Sequence, residues 1–265
     1  MRIASLARLA AVVTWGVSRR GISVDEDGRW VFNRLAGDYA ERPAYPPGLV
    51  ARLVALAGGP GGHAADLGAG SGLLSWPLAA SGLLVHAVEP ARAMLAGLGT
   101  PPPAGVTPVH ATAEATGLPA GHSDLVVLAD ALHWTDAALA GREAARLLRR
   151  GAVVAVVEPR FAATPFMSAL ADLLAGVNPR ARRAPLPLEL FFSHAGAGPH
   201  ATERFEHAER LDARRFEAVL RSLSLVGPAL GPARLAALLA GARGLAAAHG
   251  GATWSREVLL HWARR

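Results

Sequence analysis

The stretch Asp66-Leu67-Gly68-Ala69-Gly70-Ser71-Gly72 sets a carboxylate and three alternating glycines between an apolar run and a helical pattern. Glycines at such a junction let the backbone turn tightly and approach a ligand closely. Glu89, seventeen residues beyond Gly72, ends the next apolar run, where a carboxylate can accept hydrogen bonds from both hydroxyls of a ribose. A dinucleotide fingerprint would put its third glycine at position 73, which is Leu73, so NAD and FAD are disfavoured. The chain has no lysine, and hence no Gly-Lys-Ser/Thr phosphate loop. Asp130 and Glu158 end two further apolar runs, and His133 stands three residues past Asp130. If a reacting group must lose a proton, these three are the candidate bases: His133 by its ordinary pKa, Glu158 if burial raises its own. The plainer alternative gives Asp130 a ligand-holding role and leaves His133 to tie down its loop. With no cysteine and no metal-like His/Asp/Glu spacing, no metal site is expected.

These residues need a scaffold that brings strand ends together. From about residue 47 the pattern alternates short apolar runs with helical ones, as in a parallel α/β sheet. Strands are expected ending at Leu67, at Leu83–Val88, weakly at Val106–His110, and at Leu125–Ala129 and Ala152–Val157. Two late strands follow at Arg204–Leu211 and Trp254–Trp262. The fold class is therefore α/β: a Rossmann-like, doubly wound, mostly parallel sheet of seven strands. In such a sheet the carboxyl ends of the strands border the ligand crevice. After Glu158 the rhythm breaks into a helix starting at Thr164-Pro165 and a Pro- and Gly-rich stretch, so residues 160–200 are expected to form a helical lid carrying acceptor specificity.

The glycine motif with its downstream acid resembles the class I S-adenosylmethionine (SAM) methyltransferases. The resemblance extends to the type-11 group and its trans-aconitate methyltransferase-like members, through four stretches. These are Phe32-Asn33-Arg34-Leu35-Ala36-Gly37-Asp38-Tyr39-Ala40-Glu41-Arg42-Pro43-Ala44-Tyr45-Pro46, Ala113-Glu114-Ala115-Thr116-Gly117-Leu118-Pro119, Asp124-Leu125-Val126, and Ala131-Leu132-His133-Trp134. The resemblance implies SAM as cofactor and a small-molecule acceptor. It puts Gly68, Ala69, Gly70, Gly72, Glu89 and Pro90 along the cofactor, with Asp66 organising the loop and the methionine amino group. It puts Thr112, Ala113 and Glu114 at the adenine, and Tyr39 and Arg42 over the methionine end, where a guanidinium fork matches a carboxylate. Asp130 stands where related sequences usually carry Gln, and it also counts among the cofactor-binding candidates.

Composition narrows the partners. At 265 residues and 51% apolar, the chain can bury a full core. The net charge of +6 is uneven: residues 1–24 hold four arginines and no acid, while the remainder sets 23 arginines against 21 acids. A basic groove for nucleic acid is thus not expected. Residues 1–30 are read as an N-terminal extension or cap, and 31–265 as one methyltransferase domain. The longest uncharged stretch, residues 67–85, contains Gly, Ser and Pro77, so no membrane span is expected, and the localisation is read as cytoplasmic. A monomer or homodimer is expected. The reading is methyl transfer to a small molecule, conceivably a natural-product intermediate or a carboxylic acid; the rival is a SAM-binding protein of the same fold that catalyses a cyclisation or rearrangement without methyl transfer.

Overall fold

The computed structural model describes residues 31–178 and 185–265; the expected cap at 1–30 lies outside the described residues. The described chain opens with helices α1 (Phe32–Tyr39) and α2 (Pro47–Leu56). The alternation that follows runs β1 (His63–Leu67), α3 (Ser75–Ala80), β2 (Leu84–Val88), α4 (Arg92–Ala96), β3 (Val106–Val109), β4 (Ser123–Ala129), α5 (Ala137–Leu147) and β5 (Leu148–Phe161). Then come α6 (Pro165–Val177), α7 (Leu188–His194), β6 (Ala201–Leu211), α8 (Ala213–Arg221), α9 (Pro232–Ala248) and β7 (Ala252–Arg264). The seven strands form one sheet in the order β3-β2-β1-β4-β5-β7-β6, β1 to β5 in parallel and β7 antiparallel to both its neighbours. All seven expected strands are present, and the doubly wound α/β class holds.

Central strands of such a sheet are covered on both faces and read as continuous apolar runs. Leu125, Val126, Val127 and Leu128 of β4 are accordingly all fully buried. One face packs Val153, Ala155 and Val157 of β5 under α2 and α3, with Leu49 and Leu53; the other packs Val154 and Val156 under α5 and α7. Side-chain caps set the helix starts. Asp136 accepts from the Ala138 and Leu139 amides, Thr164 from Met167, and Asp212 from Arg215, while Pro47, Pro165 and Pro232 sit in first turns where a missing N–H costs nothing.

The expected lid is divided. Helix α7 is core: Phe191 and Phe192 are buried against Ala140 and Ala144 of α5, so half of the 160–200 segment cannot swing. Helix α6 instead joins α8 and α9 in a third apolar cluster, where Phe166, Leu170, Phe216, Leu220 and Leu238 pack with Trp254 of β7. That cluster roofs the ends of β5 and β7, and it recruits two helices from beyond residue 200. Arg180, Arg182 and Arg183, basic residues within the expected lid, fall outside the described residues.

Candidate active site

The glycine loop is tied to the strand beside it. The Gly68 and Ala69 amides donate to the Val88 carbonyl at 2.8 and 3.0 Å, which holds the loop where β1 and β2 end. Glu89 follows directly: its Oε2 accepts from the Gly70 N–H at 2.9 Å and its Oε1 from the Ala91 N–H at 2.8 Å. Gly70 has a φ of +59°, and a Cβ there would lie 3.3 Å from the Met94 methyl and 3.5 Å from the Tyr39 ring. Burial raises the Glu89 pKa while the two amides pull it back. A carboxylate offers about four lone-pair sites, so two amides leave acceptor capacity on a residue that lines a cavity.

That cavity encloses about 540 Å³ of space including its open mouth. Its floor is Gly68, Gly70 and Glu89, and its sides are Pro90, Met94, Thr112, Ala113, Glu114, Asp130 and Ala131, with Phe32, Tyr39, Trp134 and Thr135 closing it. The aromatic side is itself packed, the Phe32 ring meeting Trp134 at 5.1 Å and Tyr39 at 6.1 Å, both edge to face. Thr112 and Ala115 bridge across a tight turn, and the Glu114 carboxylate accepts from the Asp136 N–H at 3.0 Å. Asp130 has a φ of +54°, the left-handed region that Asp tolerates better than most residues; its amide donates to the Val157 carbonyl, and its carboxylate pairs with Arg42 at 3.3 Å.

Several expected residues stand elsewhere. Asp66 is fully buried, its carboxylate accepting from the Ser75 hydroxyl at the start of α3 at 2.6 Å, and it does not line the cavity. Burial pushes its pKa up to about 7, and its second carboxylate oxygen has no partner among the described residues. Ala69 is buried behind the loop, and Gly72 serves packing, since a Cβ there would run into Leu98 and Trp76. Arg42 is outside the cavity wall: it stacks on the Tyr39 ring at 4.1 Å and donates to the Ser222 hydroxyl and carbonyl at 2.9 Å each, so its fork is already committed to α8's end.

The three candidate bases separate. Only Asp130 lines the cavity. His133 lies on a short 3₁₀ turn (Leu132–Trp134), exposed, its ring 5.2 Å from that of Trp134. Glu158 does not end its strand, because β5 runs on to Phe161. Its side chain faces the α5 and α7 side, held by Arg160 through two bonds of 2.9 Å and facing the His261 Nε2 at 3.4 Å. It is therefore removed from the base candidates. Phe32, Met94 and Trp134 were missed as wall residues; Phe32 and Trp134 stand inside the motifs quoted above, where their aromatic character was the available signal.

Comparison with known proteins follows this geometry. A methyltransferase domain model matches residues 65–156, from β1 to the middle of β5. A solved protein of Anaeromyxobacter dehalogenans, provisionally assigned as a type II methyltransferase, is 31% identical over 84% of this chain and 96% of its own, with a TM-score of 0.59. The chain belongs to the class I SAM-dependent methyltransferases. Uncharacterised methyltransferases of Mycobacterium tuberculosis and Mycobacterium bovis are 38% identical over 141 residues, which is 53% of this chain and 54% of theirs, so the chain spans about half the length of these curated relatives. Phosphoethanolamine N-methyltransferase 2 of Haemonchus contortus, solved with S-adenosylhomocysteine, shares the fold at 15% identity and a TM-score of 0.52, over 91% of this chain and 58% of its own.

The methyltransferase family's cofactor fits the residues present. Glu89 has lone pairs for a ribose diol, Pro90, Thr112 and Ala113 line the same cavity, and a Cβ at Gly68 or Gly70 would crowd Ala131 or Met94 and Tyr39. SAM is the cofactor; its sulfonium supplies an activated methyl group. Among the described residues no helix is long and apolar enough to cross a membrane, and no cluster of His, Asp and Glu could hold a metal ion.

Proposed function

We propose that this chain transfers the methyl group of SAM to a small-molecule acceptor. The observation that carries the reading is the fixed Glu89 carboxylate, clamped by the Gly70 and Ala91 amides at the floor of a 540 Å³ cavity. With the leaving sulfur already activated, the protein's task is to align the acceptor and keep water out. The Phe32, Tyr39 and Trp134 rings do the excluding, and Asp130 stands in the wall, paired with Arg42. Where the acceptor must shed a proton, Asp130 is the group of the original three within reach of the cavity. A small acceptor suits this site better than a nucleic acid, whose backbone asks for a basic groove that the near-balanced body of the chain does not provide.

Calorimetric titration with S-adenosylhomocysteine tests the cofactor half. Glu89→Gln keeps the shape but weakens acceptance from the ribose, and affinity is expected to drop by about ten- to a hundredfold, as for a lost charge-assisted hydrogen bond of about 1.5–3 kcal/mol. Unchanged affinity would overturn the assignment. Product mass tests the other half: methyl transfer makes the product one methyl group heavier and releases S-adenosylhomocysteine, whereas a cyclisation leaves the mass unchanged.

A further inference from the structure

Asp130 borders a second cavity, of about 390 Å³ with its mouth, under the roof of α6, α8 and α9. Its walls are apolar: Val219 of α8, Leu223 just past it, Phe161 at the end of β5 and Trp254 of β7, the last two meeting edge to face at 5.2 Å. Its polar lining is Asp130 and three guanidinium groups.

Two of those three cations have carboxylate partners. Arg42 pairs with Asp130 and Arg160 with Glu158. Arg256 differs. It is only 8% exposed, its Nη2 donates to the Pro43 and Ala44 carbonyls at 3.1 and 2.6 Å, and its Nε–H has no partner among the described residues. Asp130 and Glu209 act on it from a distance, but the first is held by Arg42 and the second by Arg215. The Tyr45 ring, with its centroid 5.9 Å from the guanidinium carbon, adds only a weak contact. Burial lowers the Arg256 pKa from its usual value, yet arginine stays protonated in proteins. A buried, unpaired cation with an unmet donor is costly unless something brings an anion to it.

We propose that this second cavity is the acceptor site, and that it takes a small carboxylate with an aromatic or alicyclic body, its anionic end on Arg256. The word acceptor rests on the methyl-transfer reading; the binding does not. One uncompensated guanidinium matches one negative charge. A phosphate dianion would put a second charge into a cavity that Asp130 also lines, so a carboxylate is favoured. The body would lie against Phe161, Trp254 and Leu223, next to the wall that both cavities share.

The test is calorimetric titration of the chain, with and without saturating S-adenosylhomocysteine, using benzoate, cyclohexanecarboxylate and 2-naphthoate, each against its primary amide, with phenyl phosphate as a further arm. At least one carboxylate is expected to bind tenfold or more tightly than its amide. Arg256→Gln should erase that preference while S-adenosylhomocysteine affinity moves less than twofold. Leu223→Trp, which fills the cavity without touching the buried guanidinium, should block the carboxylate and its amide alike, so the test does not depend on Arg256→Gln folding. Amides matching carboxylates throughout, phenyl phosphate binding tighter than every carboxylate, or carboxylate binding that survives Leu223→Trp would each overturn the proposal. Carboxylate preference without S-adenosylhomocysteine binding would sink the methyl-transfer reading alone; the reverse would sink only this one.

Discussion

The two cavities that meet at Asp130 are built by different means. The first has a backbone floor: glycines whose amides and missing side chains shape it, with one carboxylate fixed by two N–H groups. The second is made of side chains drawn from five distant segments, with its polar groups on three long arginines and Asp130. A backbone cradle suits a ligand that does not change. A wall of side chains can be altered one residue at a time, which suits the part of a site that sets which acceptor enters.

The widest effect is expected where the two regions share their support. Gly72→Val puts a branched side chain into Leu98 and Trp76 at a φ of +87°. Strain and overpacking together should cost roughly 3 kcal/mol or more, read as a lower urea midpoint, with both cavities lost. Gly70→Ala faces only the first cavity, at a φ of +59°. It should cost about 1–2 kcal/mol in stability and weaken S-adenosylhomocysteine binding while leaving carboxylate binding intact. Equal stability losses in the two variants would erase the distinction between a packing glycine and a ligand-facing one.

Asp66 gives the next effect, through pH. Its folded pKa of about 7 stands above the ordinary 3.8, so between those values the folded chain holds a proton that the unfolded chain has released. Stability from this group is greatest at the acid end, falls as pH rises through that window by on the order of 4 kcal/mol, and is level above about pH 7. Urea unfolding at a series of pH values should show this slope in the wild type and lose it in Asp66→Asn.

Smaller effects sharpen the shared wall. Asp130→Ala places alanine in the left-handed region and removes Arg42's carboxylate, so it should cost about 1–2 kcal/mol, while Asp130→Asn, which tolerates that backbone, should cost less. If Asp130 takes a proton from the acceptor, both variants lose turnover under saturating SAM, by about 10²–10⁴. His133→Ala, at an exposed position outside both cavities, should shift stability by less than about 0.5 kcal/mol and leave S-adenosylhomocysteine affinity unchanged.

The same contrast explains what could be read in advance. The loop at 66–72 and Glu89 were legible because strand, glycine turn and acid lie close in sequence and each has a local physical reason. Arg160 and Arg256 carry no such signal, and Arg42 was read at the cofactor end although it lines the second cavity, since only the sheet order brings the three together. Glu158 was read as a strand end because the apolar run stops at Val157, whereas pairing with β7 carries β5 on to Phe161, opposite Arg256. The bounds of the expected lid differ from the packing for a related reason. Phe191 and Phe192 sit in a Pro- and Gly-rich neighbourhood that looks like a loop, yet they fill a gap beside α5, while the roof came from helices after β6 that the sequence showed only as Ala-rich.

The crossing of β7 between β5 and β6 has one more consequence, for the order of assembly. Strand β6 pairs only with β7, and β7 alone joins it to the rest of the sheet, with residues 212–251 emerging between the two. During synthesis β6 therefore waits at no edge of its own. Every residue that lines the Glu89 cavity lies before residue 136, whereas the chamber around Arg256 is complete only once β7 is in place. A chain synthesised no further than residue 251 carries the whole wall of the first cavity and lacks Trp254 and Arg256 of the second.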